Sequence, residues 1–173
     1  MVIGTLLSIA LGLFWFGIQA SGLGMSTRLL VALVGLFSFS LAEYLIHRFV
    51  YHSGDYHDLV TWQDKIHGTH HAFPRAKTRL TMPLPVLVPV ATLVISALWL
   101  LMGPYAFGFF PGILVGYALY LWVHYILHTR RPPKGFFRYW WKHHYLHHYK
   151  YDDKAFGLTS PIWDIVFGTM PPR

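Results

Sequence analysis

Four stretches of this chain run almost unbroken in apolar residues, and the polar residues collect in the segments between and after them. The runs are 2–20 ("VIGTLLSIALGLFWFGIQA"), 29–46 ("LLVALVGLFSFSLAEYLI"), 84–102 and 107–127. Each approaches the ~20 residues that a helix needs to cross a hydrocarbon core about 30 Å thick. Four such runs in 173 residues leave too little polar sequence to cover them as core helices of a soluble protein. The pattern therefore predicts an all-α polytopic membrane protein with four transmembrane helices. The first run lacks a basic leading segment and a small-x-small cleavage site, so it reads as a retained span and not as a signal peptide.

The runs pair into two hairpins. "SGLGMSTR" (21–28) makes the first turn, and "GPYA" (103–106) opens the second. Of the 14 Lys and Arg, Arg28 alone lies in these turns, and the other 13 follow the second or the fourth run. Basic residues accumulate on the cytoplasmic side, so 47–83 and 128–173 are expected there, as a histidine-rich helical cap. The net charge of +7 then belongs to an inner, lipid-adjacent face and not to a nucleic-acid footprint. No repeat or low-complexity segment divides the chain, so residues 1–173 read as a single domain. The expected setting is a bacterial inner membrane or the endoplasmic reticulum, with the chain multi-pass.

Composition narrows the chemistry. There is no cysteine, which excludes disulfides, thiolate metal sites and iron–sulfur clusters. Histidine occurs 12 times against only 7 Asp plus Glu, so a metal bound by side chains must be bound mostly by imidazole. Ten of the histidines form four blocks. His47 and His52 lie in "HRFVYH", and His67, His70 and His71 in "HGTHH". His124 and His128 lie in "HYILH", and His144, His147 and His148 in "HYLHH". All four blocks fall at or beyond one expected membrane face.

Positions i and i+3 or i+4 share a helix face, so three of the blocks aim their imidazoles one way. "HRFVYH" does not, because five helical residues turn the second imidazole ~140° away. It predicts a helix end or distortion between His47 and His52, or a metal reached from two sides. Ten ligands exceed the four to six positions of one ion, so two ions follow. His57 and His143 stand outside the blocks and read as surface or supporting residues, although a slipped register would let His143 replace His144.

Zinc also accepts imidazole, but a hydrolytic zinc needs three ligands and one open position, not ten histidines at a lipid boundary. A histidine-rich pair of irons beside a membrane fits oxygen activation on an alkyl chain. Three further residues are candidates for support: Glu43 four residues before His47, Asp64 three before His67, and Tyr120 four before His124. Each is equally well read as a solvated or packing residue.

The four blocks, HX4H, HX2HH, HX3H and HX2HH, resemble the fatty acid hydroxylase family, also called the sterol desaturase superfamily. "IHGTHHAFPRAKTRLTMPLP" and "HYLHHYKYDDKAFGLTSPIWDIVFGT" are similar to the catalytic domain of the sphingolipid fatty acid 2-hydroxylases. The resemblance covers roughly 43–169. It implies a dinuclear centre, with His47, His52, His67, His71 and His147 on one metal and His70, His124, His128, His144 and His148 on the other. It implies two iron ions, which zinc can replace in isolated members, and O2-dependent hydroxylation of an unactivated C–H bond on a lipid acyl chain.

The haem-binding HPGG motif of the eukaryotic relatives' cytochrome b5 domain is not found in this sequence. Electrons are therefore expected from a separate donor, a ferredoxin or cytochrome b5-like protein with its reductase. The basic face offers such an acidic carrier a dock, although positive-inside topology accounts for the same charge. Two alternatives remain. One is a carotenoid or sterol hydroxylase, or a desaturase, of the same superfamily. The other is a non-catalytic metal-binding membrane protein, which the histidines' position outside the hydrocarbon disfavours, since they form no ion path.

Overall fold

A computed structural model describes residues 2–52 and 61–172, and every regular element among them is helical. Helix α1 spans Val2–Ser21 and α2 Met25–Ile46. After α2 the helix continues as a π-helical turn, His47–Tyr51. A second π-helical turn, Asp64–Gly68, leads directly into α3, Thr69–Ala72. Helix α4 spans Leu84–Met102, α5 Ala106–Thr129, α6 Arg138–Tyr149 and α7 Ile162–Val166. The four apolar runs thus become α1, α2, α4 and α5, with boundaries within about four residues of those read from hydropathy.

The chain divides into two compact units. The first comprises Met1–Phe39 and Met82–Leu119. Its sequence contains no Asp or Glu and one basic residue, Arg28. Large apolar side chains face outward from it, Leu100 at 85% exposure and Leu101 at 83%. Two stretches, Met25–Tyr51 and Lys77–Thr129, are long and apolar enough by length and composition to cross a membrane. Together these features fit a membrane protein, because so extensive an outward apolar surface is favoured where the surrounding medium is apolar too.

In lipid there is no hydrophobic force to drive helices together, so close packing of small residues does it instead. Helix α5 carries Gly108, Gly112 and Gly116 at four-residue spacing on one face. A Cβ on Gly112 would run into the Ala32 carbonyl oxygen and come within 2.8 Å of the Leu36 nitrogen. One on Gly35 would strike the Phe109 carbonyl oxygen, and one on Gly116 would stand 2.7 Å from the Phe39 ring. The α2 and α5 backbones therefore touch directly. At the end of α1, Phe16 packs edge-on to Phe107 at 5.2 Å, and Gly17 leaves room for the Phe107 Cβ.

The second unit comprises Ser40–Thr81 and Tyr120–Arg173, and all four histidine blocks lie in it. Its core is small. Tyr44 is fully buried, stacked on Phe167 at 5.2 Å and edge-on to Phe156 at 6.0 Å. Leu80, Leu121, Leu127, Ala155 and Leu158 complete the apolar part. Trp163 of α7 donates its indole N–H to the Ser40 hydroxyl at 3.0 Å, tying the C-terminal segment to the end of α2.

Candidate metal centre

The "HRFVYH" block is settled by a change of helix type. The His52 N–H bonds back to the His47 carbonyl, five residues earlier, at 3.2 Å. A turn closed at i+5 is wider than an α turn and brings residues 47 and 52 nearly onto one face. Their rings lie 5.0 Å apart, centre to centre. The expected distortion is present, and its form is a π turn. The "HGTHH" block straddles a second π turn and α3, so His67 and His71 turn one way and His70 another. "HYLHH" lies on a three-turn helix, α6, longer than the single turn that its spacing requires.

Ten imidazoles meet in two groups of five. One contains His47, His52, His67, His71 and His147, the other His70, His124, His128, His144 and His148, and within each group one nitrogen per ring lies within 4.8 Å of all the others. The two groups adjoin, with the His71 and His148 rings stacked at 4.1 Å. In the first group the Nε2 of His67 is 3.0 Å from that of His47, 3.0 Å from that of His52 and 2.9 Å from that of His71. In the second, His70 and His124 meet Nε2 to Nε2 at 2.9 Å, and His128 and His144 at 2.8 Å.

Hydrogen bonds among the rings do not account for these approaches. The Nδ1 of His47 lies 2.6 Å from the Phe156 carbonyl oxygen, and the Nδ1 of His147 2.8 Å from that of Lys154. A carbonyl only accepts, so both Nδ1 atoms carry the hydrogen, and in a neutral ring Nε2 is then a bare lone pair. The lone pair of His47 faces His67, and the Nε2 of His147 is buried without a hydrogen-bond partner among the described residues. Both nitrogens of His148 are in the same condition. His67 has one Nε2 for three neighbouring Nε2 atoms and can donate to one of them at most. Convergent, buried lone pairs call for a cation, and neutral imidazole is the form that binds one. The donor set fits a metal ion in each group.

The electrostatics agree. Burial, followed by the repulsion of neighbouring imidazolium charge, pulls His52 and His70 down to about 2 and His71 to about 3. The same causes hold His67, His144 and His147 well below the ordinary histidine range. At neutral pH these rings are uncharged and their lone pairs are available. Aromatic side chains screen them: Tyr51 stacks on His67 at 4.9 Å, and Phe156 lies edge-on to His47, His52 and His147.

The three candidates for support have different partners. Glu43, a candidate for support or for packing, accepts the N–H groups of Leu158 and Thr159 at 2.7 and 2.9 Å and the Thr159 hydroxyl at 2.6 Å. Asp64 does not reach toward His67 but caps its own turn, accepting the Thr61 N–H at 3.0 Å and hydroxyl at 2.6 Å, which hold its carboxyl below the usual range. Tyr120 packs its ring 5.4 Å from that of His124. His143 is no surface residue: it is 4% exposed and donates to Asp164 at 3.1 Å. His57 lies outside the described residues.

Asp164 is the residue that ligand spacing missed. It is fully buried and accepts four hydrogen bonds: from the Phe156 N–H at 2.9 Å, the Gly157 N–H at 2.8 Å, the Thr169 hydroxyl at 2.7 Å and His143. Burial raises the pKa of this carboxyl, but the four donors outweigh it and hold it ionised, below the usual range. The signal was in the sequence, in the "WD" of the closing motif, but without a histidine at helical distance to draw attention to it.

A sequence model of the family described as fatty acid hydroxylase matches residues 32–169. The chain is 40% identical over 151 residues to human fatty acid 2-hydroxylase, covering 82% of this chain and 39% of that protein. It is 36% identical over 169 residues to a ceramide very long chain fatty acid hydroxylase of Schizosaccharomyces pombe, covering 92% and 47%. It is 36% identical over 152 residues to a dihydroceramide fatty acyl 2-hydroxylase of Arabidopsis thaliana, covering 82% and 61%. The chain thus spans about half the length of these relatives. A solved structure described as full-length Scs7p, with only the hydroxylase domain visible, matches with a TM-score of 0.85 at 30% identity, covering 99% of this chain and 66% of that one. With most of its length matched and its histidine blocks folded into two convergent groups, this chain belongs to the fatty acid hydroxylase family.

Proposed function

We propose that this chain is the oxygen-inserting domain of a membrane lipid hydroxylase that acts on a fatty acyl chain at the carbon next to the carbonyl. The observation that carries the reading is the pair of five-imidazole groups with inward-facing lone pairs, in a chain similar to proteins named as fatty acid and ceramide hydroxylases. His47, His52, His67, His71 and His147 would hold one iron, and His70, His124, His128, His144 and His148 the other. Iron bound there would supply redox chemistry and O2 activation.

What the chain itself contributes is arrangement. Backbone carbonyls of Lys154 and Phe156 set the tautomers of His147 and His47, so that Nε2 is the atom presented. Burial keeps the rings uncharged, and Phe156 and Tyr51 keep water from the first group. In the overall reaction one C–H bond of the acyl chain becomes C–OH and the other oxygen atom leaves as water. Two electrons and two protons balance it, the electrons drawn from a reduced ferredoxin or cytochrome b5-like carrier.

The proposed topology has four spans, α1, α2, α4 and α5, in two hairpins, with the histidine blocks on the cytoplasmic face. The distribution of basic residues supports it. Lipid mass spectrometry of cells with and without the gene is the deciding experiment. We expect 2-hydroxyacyl lipids only where the gene is intact, and none where His67→Ala replaces it. Oxygen on a carotenoid or sterol ring would move the assignment to that branch of the superfamily, and an unchanged lipid profile would overturn enzymatic hydroxylation.

A further inference from the structure

Between α6 and α7, the segment 154–159 touches one imidazole group with its carbonyls and two buried carboxylates with its N–H groups. The carbonyl of Lys154 receives Nδ1–H of His147, and that of Phe156 receives Nδ1–H of His47. These histidines come from distant parts of the chain but belong to the same group. On the other edge, Phe156 and Gly157 donate to Asp164, and Leu158 and Thr159 donate to Glu43. Ala155 joins the two functions. Its φ of 61° is in the left-handed region that an L residue seldom adopts, and its N–H is tied to the Thr169 carbonyl at 2.9 Å.

Asp164 is itself held in place. Arg48 donates to the Tyr44 hydroxyl at 2.9 Å, Tyr44 donates to the Thr169 hydroxyl at 2.9 Å, and Thr169 donates to Asp164. His143 donates from the other side. Gly157 fits only because it has no side chain, since a Cβ there would stand 2.8 Å from Asp164 Oδ2 and strike the Ser160 carbonyl oxygen. A strained backbone clamped by two buried carboxylates persists only where its surroundings over-determine it.

We propose that Asp164, supported by Glu43, is a positioning residue for one of the two metal sites far more than for the other. Through the 154–159 strap it fixes the tautomer and direction of His47 and His147. Its link to the His70, His124, His128, His144 and His148 site is the more remote one, through His143, which precedes His144 on α6 and donates to Asp164. The inference rests on the two-metal reading given above. It predicts unequal loss, which a merely structural carboxylate would not produce.

The test measures metal per chain, and release of each metal into a chelator, on detergent-purified full-length protein. Asp164→Asn places an amide N–H2 against the Gly157 N–H. It should weaken one metal roughly 10- to 100-fold and change the release of the second far less. Gly157→Ala should do the same with the carboxylate intact. Should Asp164→Asn not fold, Glu43→Gln and Thr169→Val, which each perturb fewer bonds, carry the test. They should speed release of one metal far more than of the other. Equal loss of both metals, or two metals released as in the wild type, overturns the proposal. A wild-type chain that binds no metal would overturn the dinuclear reading itself, and this proposal with it.

Discussion

Replacing His147 by Ala should leave about one metal per chain where the wild type holds about two, and replacing the adjacent His148 should remove the other. The two residues are neighbours on α6, yet they serve different groups. His144 and His148 are one helical turn apart and share a face, while His147 is rotated from His148 by ~100° and points into the His47, His52, His67 and His71 set. Neither lost imidazole has a spare donor beside it, since every other histidine in each group already faces that group's centre. Hydroxylation should fall to background in both variants, because the proposed chemistry needs both ions. Elemental analysis of the purified variants, combined with chelator release, distinguishes which ion has gone. Loss of the same ion from both variants, or full activity in His147→Ala, would sink the division of ligands.

Gly112→Ala should be the most damaging small change in the apolar unit. The added methyl meets the carbonyl oxygen of Ala32 and, at 2.8 Å, the amide nitrogen of Leu36. These are helix backbone atoms, so no side chain can turn aside to make room. Either α2 and α5 separate or α5 rotates, and overpacking of this kind costs about 1–3 kcal/mol or more. Gly12→Ala is the matched control, because a Cβ there meets nothing within 4 Å. Thermal unfolding of both variants in detergent should show Gly112→Ala destabilised and Gly12→Ala near the wild type. A Gly112→Ala chain as stable as the wild type would mean that the two helices do not touch at this point.

Local pattern made much of this protein legible. Hydropathy located α1, α2, α4 and α5, since runs of about twenty mostly apolar residues have few folded alternatives. Helical periodicity paired His124 with His128 and His144 with His148, since i and i+4 share a face whatever surrounds them. Resemblance to the family supplied the division of the ten histidines, and the two five-membered clusters have the same membership.

Other features depend on residues far apart in the chain and were not legible from spacing. The π turn at His47–Tyr51 could be read as a distortion but not as a type, because hydropathy does not distinguish closure at i+4 from closure at i+5. Helical arithmetic sets Glu43 one turn before His47, yet its hydrogen-bond partners are Leu158 and Thr159, some 115 residues away. His143, adjacent to a ligand block, became a donor to Asp164, and Asp164 acquired its importance only through contacts with 143, 156, 157 and 169. Residue type and short-range period follow directly from the order of the amino acids, and they were enough to pick out the ten histidines and their four blocks. Tertiary structure alone decided what orients them: a backbone carbonyl or buried carboxylate acts on whatever the fold brings within about 3 Å, and no local period encodes that distance.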